Sequence, residues 1–215
     1  MENVVVEGNR IFTVIPENFD SRSVYGEKIT TKNHLKLRAW SPYRSKLAAA
    51  ILRGIDMDIK SDYQILYLGA AAGTTVSHLS DIVYRGMIYA VEISPFPLRK
   101  LLDVCRMRKN IVPIMEDANH PERYLHLVPK VNFLYQDIAQ RNQIDIFIRN
   151  CEMYLMDSGV GIIMVKSRSI DTTAEPEKVY GRVIDRIERE GYRIRDMKKL
   201  DPYAKDHACI VIERG

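Results

Sequence analysis

The stretch YLGAAAGTTVSHLSDI, residues 67–82, decides the fold of this chain. Apolar residues lead up to Gly69 as in a short buried strand, and from Thr74 onward apolar residues recur at helical spacing. Only alanines lie between Gly69 and Gly73, so the backbone of this strand, turn and helix can approach a ligand closely. Free N–H groups at the helix start would face that ligand. The stretch therefore predicts a turn that holds an anionic group of a bound small molecule.

Two classes of cofactor use such a turn. The dinucleotide fingerprint needs glycine at its third and sixth positions, where this chain has Ala71 and Thr74. The turn is therefore poorly suited to binding a pyrophosphate. S-adenosylmethionine has no phosphate, and its carboxylate can accept hydrogen bonds at the helix start. Glu92 follows the turn at close to the roughly 20-residue offset at which an acidic residue reaches ribose hydroxyls. Both cofactors contain that ribose, so Glu92 does not distinguish them.

Composition narrows the class of protein. The 215 residues, 46% hydrophobic and 28% charged, suit one domain with a small appendage. The net charge of +4 permits a polyanionic partner such as RNA without establishing one. Cys105, Cys151 and Cys209 have no paired spacing, which predicts reduced thiols and no metal site. No apolar run approaches the ~20 residues of a membrane span, so we expect a cytoplasmic protein that does not enter a membrane.

Residues 1–55 predict a small β-rich domain with a connecting helix, ahead of a cofactor-binding domain at 56–215. The segment VVVEGNRIFTVI alternates apolar and polar residues around Gly8-Asn9, which indicates a hairpin. The segments SVYGEKI and HLKLRAW continue the β pattern. Ser41-Pro42 then predicts the start of a helix over SPYRSKLAAAILRGI.

Beyond residue 56 strands and helices alternate, as a parallel sheet with crossover helices requires. The predicted strands are 64–68, 87–91, 111–115, 131–135, 160–165, 192–200 and 208–213. The predicted helices are 74–84, 97–108, 140–154 and 175–190. Only a loop joins the last two strands, so the final strand must be antiparallel to its neighbour. This α/β pattern, a mostly parallel Rossmann-like sheet with a reversed last strand, is the architecture of class I methyltransferases that use S-adenosylmethionine.

Ligands of open α/β sheets bind outside the carboxyl ends of the parallel strands. Polar or special residues from separate segments fall at that edge: Gly69, Glu92, Asp117, Asp137, Lys166 and His207. Either aspartate alone is as well explained as a helix cap. The set as a whole indicates a binding or catalytic site.

Seven segments together resemble the fibrillarin family in its compact archaeal form, the fibrillarin-like rRNA/tRNA 2′-O-methyltransferases. They run from about Trp40 to the C-terminus: SPYRSKLAAAIL, YLGAAAGTTVSHLSDIV, YAVEIS, EDANHPERY, YQDIAQ, VKSRSID and LDPYAKDHACIV. The resemblance implies 2′-O-methylation of RNA ribose, directed by a box C/D guide RNA, with S-adenosyl-L-methionine as donor. It also implies a particle that contains a Nop-family scaffold protein and a kink-turn-binding ribosomal-type protein, in the cytoplasm of an archaeal-type cell.

The resemblance carries residue roles with it. The implied cofactor-binding residues are Gly69, Ala71, Gly73, Thr74, Thr75, Glu92, Ile93, Asp117, Ala118, Asp137 and Gln140. The implied catalytic residues are Lys46, Asp137, Lys166 and His207. Lys166 would hold or deprotonate the target hydroxyl, Asp137 would orient it, and Lys46 would stabilise developing negative charge or an adjacent phosphate. The basic residues Lys32, Lys36, Arg38, Arg44 and Lys46 are candidates for following an RNA backbone, although a solvated charged face is the commoner explanation.

Two other classes of function stay open. A nicotinamide-dependent oxidoreductase would have the same sheet and an acidic residue at Glu92. This turn, however, lacks glycines that the pyrophosphate of a dinucleotide requires. A non-catalytic RNA-scaffold subunit would keep the fold, yet it has no use for Lys46, Asp137 and Lys166 together.

Overall fold

The computed structural model describes residues 1–215 and places an N-terminal sheet against a larger α/β sheet. The N-terminal sheet is antiparallel, with strand order β1-β2-β4-β3. Its strands are β1 (Val4–Glu7), β2 (Arg10–Val14), β3 (Ile29–Lys32) and β4 (Leu35–Trp40). Glu7 pairs with Arg10 across the turn, so the hairpin at Gly8-Asn9 is confirmed.

Two details of the N-terminal region differ from the sequence prediction. Most of SVYGEKI is a loop, because the Glu27 carboxylate accepts hydrogen bonds from the amides of Val24 and Tyr25 and draws the chain into a turn. The first helix, α1 (Lys46–Leu52), begins later than Ser41. Ser45 is its N-cap and accepts from the amide of Ala48, whereas Ser41 belongs to the turn before it.

The larger sheet has seven strands in the order β10-β11-β9-β8-β5-β6-β7. The strands are β5 (Gln64–Leu68), β6 (Met87–Val91), β7 (Ile111–Ile114), β8 (Val131–Gln136), β9 (Leu155–Lys166), β10 (Tyr192–Lys199) and β11 (His207–Arg214). Strand β11 is antiparallel to both neighbours, and the central strands are parallel. The predicted fold class is therefore confirmed.

Helices cover both faces of this sheet. They are α2 (Thr74–Ile82), α3 (Pro95–Met107), α4 (Gln143–Tyr154), α5 (Ser167–Ile170) and α6 (Pro176–Arg189). Helix α4 begins three residues later than predicted, because residues 137–142 form a loop at the carboxyl end of β8. None of the helices has the length and hydropathy that crossing a bilayer requires.

A buried ion cluster joins the N-terminal sheet to α2. The Asp81 carboxylate lies 3.1 Å from Arg38 Nη1 and 3.1 Å from Arg108 Nε, and all three side chains are fully buried. Thr13 Oγ1 donates to the same carboxylate over 2.8 Å, and Glu27 Oε1 lies 2.9 Å from Arg38 Nε. Strands β2 and β4 are thus tied directly to the helix that follows the glycine turn.

The buried His78 of α2 adds a second polar tie. Because the Thr13 hydroxyl hydrogen goes to Asp81, His78 Nδ1–H must donate to Thr13 Oγ1 over 2.8 Å. Nε2 is then the acceptor for the Tyr25 hydroxyl at 2.6 Å. Burial, together with the charges of Arg38 and Arg108, lowers the pKa of His78, which agrees with a neutral ring. Trp40 stacks on that ring with centroids 4.8 Å apart, and it belongs to the same apolar core as α1 and α2.

We expect Asp81→Asn to destabilise the chain by about 3 to 5 kcal/mol, because the guanidiniums of Arg38 and Arg108 would stay buried without the charge that balances them. Urea unfolding measures this change. Asp103→Asn is the matched control, since Asp103 pairs with Arg106 on the exposed surface of α3. An equally small effect of both substitutions would show that the buried cluster does not hold the two sheets together.

Candidate functional site

The carboxyl ends of β5, β6, β7 and β8 open into a cavity of about 220 Å³. Eight of the eleven residues that the sequence suggested for the cofactor line it: Gly69, Ala71, Glu92, Ile93, Asp117, Ala118, Asp137 and Gln140. The other three, Gly73, Thr74 and Thr75, lie outside its wall. Residues from four strand ends thus meet in one place, as the rule for open α/β sheets requires.

The glycine turn is shaped by close backbone contacts. Gly69 has φ of +80°, and a Cβ there would lie 2.6 Å from the carbonyl oxygen of Asp137. Gly73 has φ of +85° at the N-cap of α2, where a Cβ would meet Leu101 and Val104 at 3.0 Å. No side chain larger than hydrogen fits at Gly69, so the turn and the loop that carries Asp137 pack directly against each other.

The two threonines of the turn have different surroundings. Thr75 is buried, and its hydroxyl donates to Ser45 Oγ over 2.9 Å, so it supports the start of α1. Thr74 lines a separate cavity with Ala72 and Arg44. Helix α2 begins without a side-chain cap, which leaves its first amides free for a ligand.

The charge in the cavity wall is entirely negative. Its lining includes the carboxylates of Glu92, Glu116, Asp117 and Asp137 and contains no lysine, arginine or histidine. Sequence reasoning did not propose Glu116, although it stands next to Asp117 at the end of β7. Such a wall repels a pyrophosphate and attracts a cationic ligand.

Hydrogen bonds hold two of these carboxylates in place. Glu92 accepts from the amides of Ala71 and Ser94, each over 2.8 Å. Asp117 accepts from both the amide and the side chain of Asn119 over 2.9 Å. Burial alone would raise the pKa of Asp117, but these hydrogen bonds outweigh it and the pKa is lowered. Asn119, which the sequence did not single out, also donates to Gln140 Oε1 over 3.3 Å.

The four residues suggested for catalysis come together at the edge of this cavity. Lys46 Nζ lies 2.7 Å and 2.9 Å from the two carboxylate oxygens of Asp137. Lys166 ends β9 and is paired with His207, the first residue of β11. The Lys166 amine takes part in no hydrogen bond or ion pair, although the backbone amide of this residue donates to Gln143 Oε1. One ammonium is thus engaged by the carboxylate, and the other is available to a substrate.

His207 presents a nitrogen lone pair beside this cluster. Its Nδ1–H donates to the carbonyl oxygen of Lys205 over 2.7 Å, so Nε2 carries no proton in the neutral ring. Burial is the main cause that lowers the pKa of His207, and Lys46 and Lys166 lower it further, against the Lys205 hydrogen bond and Asp137. The ring is therefore neutral above that lowered pKa, and Nε2 can accept a hydrogen bond.

The side chains of two buried glutamines, which the sequence did not single out, make hydrogen bonds next to the catalytic residues. Gln136 Nε2 donates to the carbonyl of Gln143 over 2.6 Å. The side chain of Gln143 donates to the carbonyl of Gln140 over 2.8 Å and accepts from the amide of Lys166 over 3.2 Å. Polar residues at the end of a strand and the start of the next helix are a weak signal, because these positions are polar in most proteins.

The set of basic residues suggested for RNA needs one correction. Arg38 is fully buried and bound to Asp81 and Glu27, so the prediction that it follows an RNA backbone is wrong. Lys32, Lys36 and Arg44 are exposed. Arg38 was suggested because it belongs to a run of basic residues, but its face of β4 is covered by α2.

Comparisons with known proteins agree with this geometry. A family model described as Fibrillarin matches residues 3–214. The fibrillarin-like rRNA/tRNA 2′-O-methyltransferase of Methanothermobacter thermautotrophicus is 44% identical over 215 residues, which cover 100% of this chain and 95% of that protein.

Two solved structures are similar over most of the chain. A fibrillarin/Nop5p complex superposes with a TM-score of 0.92 at 46% identity and covers 100% of this chain and 99% of the other. Aeropyrum pernix fibrillarin with natively bound S-adenosyl-L-methionine superposes with a TM-score of 0.83 at 46% identity and covers 94% and 88%.

The charges around His207 predict how its titration responds to substitution. Lys46→Met should raise the pKa of His207, because an ammonium that disfavours the imidazolium is removed, and Asp137→Asn should lower it for the opposite reason. NMR titration of the His207 ring measures both shifts. Lys32→Met, on the N-terminal sheet, should leave the titration unchanged. If Lys46→Met also left the titration of His207 unchanged, Lys46 and His207 would not lie in the same site.

Proposed function

This chain belongs to the fibrillarin family, and we propose that it transfers the methyl group of S-adenosyl-L-methionine to ribose 2′-hydroxyls of rRNA and tRNA, at positions that a box C/D guide RNA selects. One observation carries the proposal: a carboxylate-lined cavity opens beside an engaged lysine, a free lysine and a neutral histidine.

The cavity fits the methyl donor better than a dinucleotide. S-adenosylmethionine, when bound, supplies an electrophilic methyl group on a positively charged sulfur. The structure of one relative, Aeropyrum pernix fibrillarin, contains this donor. The backbone of Gly69 and Ala71 would lie against its methionine end, Glu92 would meet its ribose, and Asp117 and Ala118 its adenine. The roles of Gly73, Thr74 and Thr75 stay predictions, and their positions indicate that they shape the turn.

The residues at the edge act on the RNA hydroxyl. A ribose hydroxyl is a poor nucleophile until its proton is drawn off and its lone pair is aimed, and placement alone contributes up to roughly 7 to 11 kcal/mol in the best cases. Lys46 fixes the Asp137 carboxylate, which then orients the hydroxyl. Lys166, whose side chain has no partner within the chain, holds that hydroxyl as an ammonium or takes its proton as the neutral amine, and His207 Nε2 offers a further acceptor for the proton.

The proposed enzyme works within a particle. A relative of known structure is a fibrillarin/Nop5p complex, which supports a Nop-family scaffold as partner. We extend this to a kink-turn-binding ribosomal-type protein, the box C/D guide RNA and the target rRNA or tRNA. The net charge of +4 is modest for a protein that must hold RNA alone, so placement of the target depends on these partners. The cytoplasm of an archaeal cell is the location that this proposal implies.

Calorimetry with each cofactor separates the methyltransferase from the oxidoreductase. We expect S-adenosylmethionine to bind and NAD to give no heat of binding, because four carboxylates line the cavity and only two of them, Glu116 and Asp137, have a cationic partner. Glu92→Gln should weaken the binding of S-adenosylmethionine by removing the charge that the ribose hydroxyls would meet. Tight binding of NAD would contradict the proposed cofactor.

The role of Lys166 is tested in the assembled particle with a matched guide and target. We expect Lys166→Ala to slow single-turnover methyl transfer by at least about 100-fold while the Kd for S-adenosylmethionine changes only a few fold, since general acid–base groups contribute roughly 10² to 10⁴. Radiolabelled methyl incorporation measures the first quantity and calorimetry the second.

Lys130→Ala, an exposed lysine ahead of β8, is the control for that experiment. A wild-type particle that incorporates no methyl groups would identify the chain as a scaffold subunit instead. Loss of cofactor binding in Lys166→Ala would mean that this lysine holds the donor and does not act on the hydroxyl.

A further inference from the structure

A second cavity, of about 440 Å³, lies on the N-terminal sheet and is lined by aromatic rings and cations. Its rings belong to Phe12, Tyr25 and Trp40, and its cations to Arg10, Lys28 and Arg44. We propose that this cavity takes a base of a single-stranded segment of the RNA, with the neighbouring phosphates held by Arg10 and Lys28. The inference rests on the proposed function only in that the particle must present RNA to this chain.

The net charge of the cavity favours a polyanion. Arg10, Lys28 and Arg44 are exposed, and neither Lys28 nor Arg44 has an acidic partner. Arg10 has a single one, Glu7 at 3.7 Å. The lining contains one acidic residue, Glu27, whose side chain is buried and lies 2.9 Å from Arg38 Nε. The exposed charge is therefore positive, opposite in sign to the wall of the cofactor cavity.

The aromatic walls suit a stacked base. The Arg10 guanidinium lies 5.9 Å from the centre of the Phe12 ring, and the Arg44 guanidinium lies 4.8 Å from that of Tyr25. Bases that are splayed out of single-stranded RNA stack on aromatic rings and on guanidinium planes. Tyr25 is bound to His78, and Trp40 is stacked on His78, so two of the walls are held by the buried core.

The cavity shares two of its lining residues with a cavity beside the glycine turn. Tyr25 and Arg44 line both this cavity and a further one that reaches Ala72 and Thr74 of the glycine turn. Arg44 also stands two residues before Lys46, whose amine binds Asp137. An RNA strand seated on the N-terminal sheet can therefore lead toward the residues that would act on its ribose.

The test measures binding of target RNA by the complete particle across a range of salt concentrations. The double variant Arg10→Ala/Lys28→Ala should weaken binding and reduce the slope of log K against log salt by about 1.4, because each lost phosphate contact to a single strand contributes about 0.7. The double variant Lys130→Ala/Lys178→Ala is the matched control, since both lysines are exposed, have no acidic partner and lie outside the cavity.

Stacking is tested separately at Phe12. Phe12→Leu keeps an apolar side chain for packing but removes the ring face, and should weaken RNA binding by about 5- to 100-fold. Phe12→Tyr should restore it. Thermal unfolding of both variants confirms that they are folded, and ultraviolet crosslinking of bound RNA to peptides of β2 and β4 gives an independent readout.

The possible results distinguish this inference from the proposed function. If the wild-type particle methylates its target while the cavity variants bind RNA with unchanged affinity and salt slope, the inference is overturned and the proposed function stands. If the wild type neither binds S-adenosylmethionine nor transfers methyl groups, the proposed function fails. Loss of scaffold binding in the cavity variants, with RNA contacts unchanged, would identify the cavity as a protein-docking surface and overturn the inference.

Discussion

The buried carboxylate of Asp81, held between Arg38 and Arg108, is the constraint on which the arrangement of the site depends. It ties β4 to α2, and the chain that leaves β4 becomes α1, whose first residue is Lys46. A hydrogen bond from Thr75 of α2 to Ser45 fixes that helix start. Apolar contact alone would tolerate sliding of one layer on the other, whereas ion pairs with hydrogen-bond geometry accept few arrangements. The position of the Lys46 amine against Asp137 follows from this docking.

The chain separates charge by sign between its two cavities. Carboxylates line the cavity at the carboxyl ends of β5 to β8, and exposed cations line the one on the N-terminal sheet. If RNA binds the N-terminal sheet as proposed, the cationic methyl donor and the polyanionic RNA would be drawn to different cavities, with the pair of Lys46 and Asp137 at the edge of the first. The two substrates would then not compete for one site.

Local patterns in the sequence were enough to predict the sheet, the glycine turn and the residues that meet at the carboxyl ends of the parallel strands. The early start of β9 at Leu155 was missed because the polar residues Asp157 and Ser158 interrupt its apolar run. The burial of Arg38 was missed because its partner Asp81 is 43 residues away. The hydrogen bond from the Thr75 hydroxyl to Ser45 was not foreseen either, because Ser45 is 30 residues away. Such outcomes depend on which distant side chain meets a given face, and no periodicity in one segment encodes that.

The buried side chain of Gln143 couples the loop that lines the cofactor cavity to the strand end that carries Lys166. Gln143 binds the carbonyl of Gln140 in the cofactor loop and the backbone amide of Lys166 with one buried side chain. A shift of the loop that lines the cofactor cavity must therefore either move the end of β9 or break a buried hydrogen bond, and leaving such a group unpaired costs about 1 to 3 kcal/mol. The same loop begins with Asp137, whose carbonyl oxygen packs against Gly69. The cofactor turn, the carboxylate and the free lysine are thus linked by direct contacts, and in the proposed reaction these contacts would hold the donor and a hydroxyl at Lys166 in a fixed relation to each other.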